Sequence, residues 1–155
     1  MSAFDPDAFA TAATNEANDT KFLSVPAGEY VAVVDKVDVR KTDPSEKNPD
    51  GSVVCDITWR IDDAKLEAEL GRKPTVRQGI FLDISNGPKG AQLDFGKGKN
   101  VTLGKVRDAL GMNEAGKPFA LTNLNGAGPA RIKVALTPSK TSEEMFANVK
   151  SVGRI

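Results

Sequence analysis

Histidine is absent from the 155 residues, and cysteine, tryptophan and tyrosine occur once each. Without histidine there is no Ser-His or Cys-His dyad and no imidazole general base or metal ligand. The single thiol, Cys55, forbids an intrachain disulfide and points to a reducing compartment. One thiol without imidazole also leaves no ligand set for a structural zinc. No apolar run approaches the roughly 18 residues of a membrane-spanning helix. The start, "MSAFDPDAFATAATNEANDTK", has neither the basic nor the apolar region of a secretory signal. An enzyme would have to run on carboxylates, lysine or magnesium, and no motif supports one, so we expect a soluble cytoplasmic chain that is not an enzyme and has no catalytic residue, metal, cofactor or membrane partner.

What is there is charge, unevenly spread. Residues 1–70 hold 7 Lys/Arg against 15 Asp/Glu, a net −8, and residues 71–155 hold 14 against 6, a net +8. Such a split suggests a polyanion-binding part beside an acidic part, unless the fold interleaves the two halves.

Residues 1–24 read as an N-terminal arm, flexible or docked, with Phe4, Phe9 and Phe22 as its large apolar anchors and a short helix near 7–14. Residues 25–155 read as one domain. "EYVAVVDKVDVR" is a first strand, with Val31, Val33, Val37 and Val39 expected inside and Tyr30, Lys36, Asp38 and Arg40 outside. "KTDPSEKNPDG" is a loop ending in an Asp50-Gly51 turn. "SVVCDITWRID" is a second strand, with Cys55, Ile57, Trp59 and Ile61 inward and Asp56, Thr58 and Arg60 outward. A charged stretch with a helical turn, closed by Gly71 and Pro74, leads to "TVRQGIFLDIS". This third strand carries Val76 and Ile80 on one face and Arg77, Gly79 and Phe81 on the other. "NGPKGAQLDFGKGK" reads as a glycine-rich loop. "NVTLGKVRDALG" reads as a helix with Leu103, Val106 and Leu110 on one side, capped by Asn100 or Thr102 and stopped by Gly111. "ARIKVALT" and the weaker "EMFANVKSVGRI" are strands four and five. A mainly β chain with one helix between strands three and four matches an OB-fold-like five-stranded barrel preceded by an arm. A β-sandwich with an incidental helix has the same order.

The motif "DFGKGKN", residues 94–100, invites two enzymatic meanings, and both fail. A kinase needs an HRD loop, and there is no histidine. A Walker loop needs Ser or Thr after its lysine, and Asn100 follows Lys99. What survives is two glycines and two lysines before a helix N-terminus, which favours an anion. The plainer reading is a solvated loop. On the strands, Arg60, Arg77 and Phe81 share an outward parity, and Tyr30 joins them from strand one. Bases stack on exposed rings while cations follow phosphates. The plainer reading of Phe81 is packing beneath the arm or the helix. Trp59 has core parity, and Cys55 reads as a small core residue.

"PAGEY" opening a strand, the block "DFGKGKNVTLGKVRDALGMN" and the closing "NVKSV" together resemble a family of small phage-encoded proteins, some described as single-stranded-DNA binders. The resemblance spans 22–152 and is most specific at 93–113. It implies an OB-type barrel in the host cytoplasm that coats and protects single-stranded DNA, without sequence preference, in phage replication or recombination. Its partners would be single-stranded DNA, further copies of itself in cooperative self-association, and phage replication or recombination proteins. The residues expected to touch nucleic acid are Lys97, Lys99, Lys105, Arg107, Arg77 and Arg60 for phosphates, with Phe81 and Tyr30 for stacking. Two departures qualify this. The chain lacks the acidic C-terminal tail of many such binders, and instead carries "FDPDAF" in its arm, expected either to compete for the basic groove or to mediate self-assembly. Its aromatics are few, which implies modest affinity per site. The alternative is a phage structural or virion β-barrel with no nucleic-acid role.

Overall fold

The computed structural model describes residues 4–18, 24–46, 49, 51–88, 90–138 and 145–155. Phe22 and Asp50, expected to form an anchor and half of a turn, lie outside the described residues. Gly51 lies within them and has φ 75°, and any side chain there would run into the Thr42 carbonyl. Thr42 and Ser52 close this loop with two hydrogen bonds of 2.7 and 2.8 Å.

The chain is mainly β. After a short helix α1 (Pro6–Thr11) come strands β1 (Gly28–Lys41) and β2 (Val53–Ile61), helix α2 (Ala64–Leu70) and strand β3 (Thr75–Leu82). A small hairpin, β4 (Ile84–Gly87) and β5 (Gly90–Leu93), precedes helix α3 (Val101–Ala109). A 3-10 turn (Leu121–Leu124) and strands β6 (Ala130–Pro138) and β7 (Met145–Gly153) complete it. Five strands form one sheet in the order β1-β2-β3-β7-β6, and β6 pairs back onto β1, so the sheet closes on itself. All of its ladders are antiparallel except β3 with β7, where Arg77 stands opposite Asn148.

As the alternation of β2 requires, Cys55, Ile57, Trp59 and Ile61 point inward and are buried, while Val54, expected outward, is buried as well. The indole of Trp59 donates to Gln78 Oε1 at 2.9 Å, so the two buried polar groups satisfy one another. On β3, Val76 and Ile80 flank Gln78 on the same inward face.

The first half of β1 differs from the sequence expectation. Ala32 and Val34 are the buried residues, while Val31 is 39% exposed. Asp35 is an extra residue: Val34 pairs with Trp59 and Lys36 with Thr58, so a β-bulge lies between them. One inserted residue moves every preceding side chain to the opposite face. Beyond the bulge the expected parity holds for Val37, which packs against the core, but not for Val39, which is 53% exposed. The backbone freed at the bulge is taken up by the loop after the 3-10 turn. Val34 exchanges hydrogen bonds with Gly126 and Ala127, and Asn125 Oδ1 accepts from Val37 N at 2.9 Å.

Helix α3 forms as its i, i+3 pattern requires, burying Leu103 and Val106 as it packs on β7 and β3. Helix α2 is capped by Asp63, whose carboxylate accepts from Leu66 N at 3.0 Å, and ends at Gly71 with φ 70°. The third strand, expected to run to Ser85, ends at Leu82, and Ile84 opens the hairpin β4–β5, whose short strands, rich in polar residues and glycine, carry little signal in the sequence.

Candidate nucleic-acid interface

The outer face of β3 carries Thr75, Arg77, Gly79 and Phe81, all exposed. Their partners on β2 are Arg60, Thr58, Asp56 and Val54. Beyond the bulge, β1 presents Lys36, Asp38 and Arg40 to the same face, with Arg40 opposite Val54 and Asp38 opposite Asp56. Phe81 is 70% exposed at the end of this surface, so neither the arm nor a helix covers it.

Asp56 organises the face. Its side chain is only 8% exposed, yet Oδ2 lies 2.6 Å from Arg40 Nε and 3.2 Å from Arg77 NH2. Gly79 stands opposite Asp56. The two guanidinium groups therefore converge on one sunken anion while staying 54% and 70% exposed themselves. Asp38 leans instead to Lys36, at 3.8 Å.

Next to β3 runs β7. Phe146, two residues before Asn148, is 53% exposed on the outer side, and Lys150 is exposed beyond. Phe146 was missed in the sequence. Its signal was present in the alternation of Phe146, Asn148 and Lys150 against the packed Ala147 and Val149. Phe81 and Phe146 are separated by about six residues of strand rise, roughly 20 Å. The contiguous strands β3, β7 and β6 contain Arg77, Lys150, Arg131 and Lys133 and no acidic residue. The acid-rich half of the chain supplies β1 and β2, and the basic half supplies this arc. The halves are thus segregated in the sheet rather than interleaved.

The other expected residues divide. Lys97, Lys99 and Lys105 are exposed, and none has an ion pair among the described residues. The lysine loop is tied to the Phe81 end of β3. Asn100 Oδ1 accepts from Asp83 N at 2.7 Å, Asn100 Nδ2 donates to Asp83 O at 2.9 Å, and Asn100 N donates to Asp83 Oδ2 at 2.8 Å. Asn100 takes φ 51° and its side chain does not cap α3; a carboxylate already sits at that helix start. This weakens the helix end as an anion site.

Arg60 is on the outer face but at its far end, with NH1 3.4 Å from Asp35 Oδ1, the bulge residue. Two placements correct the sequence expectation. Tyr30 lies on the inner parity created by the bulge, packs on the core and donates its hydroxyl to Pro26 O at 2.7 Å. Burial, with Asp63 and Glu69 nearby, pushes its pKa up. Arg107 is 8% exposed, with its guanidinium 4.0 Å over the Phe119 ring and Nε donating to Met112 O at 3.2 Å. It shares the buried side of α3 with Leu103 and Val106, so it holds the 112–119 segment instead of facing solvent. Desolvation lowers its pKa.

Among the described residues no cluster of three or more Cys, Asp or Glu is arranged to hold a metal, and no helix is long and apolar enough to cross a membrane. No family model and no curated protein matches the chain.

Proposed function

We propose that the closed five-stranded sheet is an OB-type barrel and that the chain binds single-stranded DNA on its β2–β3–β7 face, without catalysis. The observation that carries this is Phe81, an exposed ring on the same outer face of β3 as Arg77, with no acidic residue on β3 or β7. The strand order, the parallel β3–β7 pairing and the helix placed before β6 support the OB assignment, and the β2–β3 face is where such barrels take oligonucleotides. Arg77, Arg40, Lys97, Lys99 and Lys150 follow phosphates, while Phe81 and Phe146 offer base-stacking surfaces. Sequence-independent coating follows from this chemistry, since every base has a π-face and cations do not read base edges. The resemblance to phage proteins supplies the setting of replication or recombination. Titration of fluorescent oligothymidylate against wild type, Phe81→Ala and Arg77→Ala tests the reading. Phe81→Ala should bind more weakly with the wild-type melting profile, and Arg77→Ala more weakly with only a small loss of stability, because Arg40 still pairs with Asp56. Wild-type affinity in both would remove the proposed face.

A further inference from the structure

Helix α3 carries a glycine that its own chain does not explain. Gly104 lies in the fourth position of a nine-residue helix, where glycine is less stable than alanine. Its φ is not positive, and a Cβ there would meet nothing within 4 Å. Neither backbone strain nor close packing within the chain therefore calls for glycine. What its missing side chain does is open an outer groove of about 180 Å³, walled by Leu93, Phe95, Val101 and Leu103 and edged by Lys99. Asp94, also on the wall, is engaged by Gly96 N at 2.8 Å. The rim is apolar and uncovered: Phe95 is 74% and Val101 53% exposed. The volume is below the roughly 300–1,000 Å³ of small-molecule pockets and suits one aromatic side chain.

A matching segment exists in the same chain. Helix α1 has no buried residue, and residues 4–18 are all exposed. Phe4 and Phe9 are each 71% exposed and rest on one another with ring centroids 5.4 Å apart. Residues 1–18 contain Asp5, Asp7 and Glu16 and no lysine or arginine. The groove is edged by Lys99, with Lys97 in the same loop. The groove mixes the apolar Leu93, Phe95, Val101 and Leu103 with Asp94, Lys99 and Asn100, so the phenylalanines of the acidic arm find apolar wall and its carboxylates find Lys99 at the edge.

We propose that α1 of one copy seats in the α3 groove of a second copy, one phenylalanine entering over Gly104 and the other covering Phe95. The arm is a self-association element, and the glycine is the opening kept for it. The groove shares Lys99 with the proposed phosphate contacts, but the association needs no nucleic acid, and Phe4, Phe9, Gly104 and Val101 lie outside the β2–β3–β7 face.

Sedimentation velocity of the full chain over a wide concentration range, without nucleic acid, tests it. Wild type should self-associate. The Phe4→Ala/Phe9→Ala chain and the Gly104→Leu chain should each associate roughly tenfold or more weakly. Mixed in equal amounts, they should associate again, because one retains the groove and the other the arm. Val101→Asp, on the exposed rim, should reproduce Gly104→Leu and serves if the latter fails to fold. A wild type monomeric at every concentration, or variants that associate like wild type, would overturn the proposal.

Discussion

Asp56 on β2 and Arg77 on β3 pair diagonally, with Oδ2 3.2 Å from NH2, and the carboxylate is nearly buried while the guanidinium is mostly in water. Arg40 completes the arrangement from β1 at 2.6 Å. The asymmetry in burial sets an asymmetry in energy. Removing Asp56 returns two solvated arginines to water. Removing both arginines strands a carboxylate that is almost out of water.

Arg40→Ala/Arg77→Ala should therefore destabilise the fold more than Asp56→Ala does. The expected loss is about 3 kcal/mol for the double variant against about 1 kcal/mol for the single one. Urea unfolding midpoints read the difference, and equal midpoints would mean that Asp56 is already well solvated.

Arg107→Met should lower thermal stability without changing the salt dependence of DNA binding, because its guanidinium is spent on the Phe119 ring and the Met112 carbonyl. A loss of about 1–2 kcal/mol is expected. Lys97→Ala/Lys99→Ala should do the opposite: unchanged melting, and a log–log salt slope shallower by about 1.4.

Burial, and secondarily the neighbouring Asp56, pushes the Cys55 thiol up to about 11. The folded state thus holds its proton where the unfolded chain, near pH 8.5, has lost it. Cys55 contributes full stability below the unfolded pKa and loses it as pH rises through about 9 to 11, a loss of at most roughly 3 kcal/mol. Tyr30, shifted in the same direction, adds to this above its usual range. Urea midpoints of wild type and Cys55→Ala between pH 8 and 11 should converge as pH rises; a constant gap would refute the shift. At neutral pH the thiol should resist alkylation in the folded protein.

The elements with a strong period were legible in the sequence. β2, β3, α3 and β6 lie where alternation and the Leu103–Val106 spacing put them, and Trp59 and Cys55 are core as their parity demanded. Tyr30 was placed on the wrong face because nothing local to Asp35 announces a bulge; it arises from pairing with Trp59 and Thr58, which are distant in sequence. Arg107 misled because a cation on a helix reads as solvent-facing, whereas here a ring from the following loop covers it. The Asn100–Asp83 clamp joins residues 17 apart and has no signature in either neighbourhood. Phe146 was visible by alternation but sat in a strand judged weak.

The central claim is that the β2–β3–β7 face with Phe81 and Arg77 binds single-stranded DNA, and the salt dependence of oligothymidylate binding tests it most directly. Fluorescence anisotropy should show binding at low salt that weakens linearly in log–log form, by about 0.7 per phosphate neutralised, with a slope that Arg77→Ala makes shallower. No binding at low salt, or binding indifferent to salt, would contradict the account.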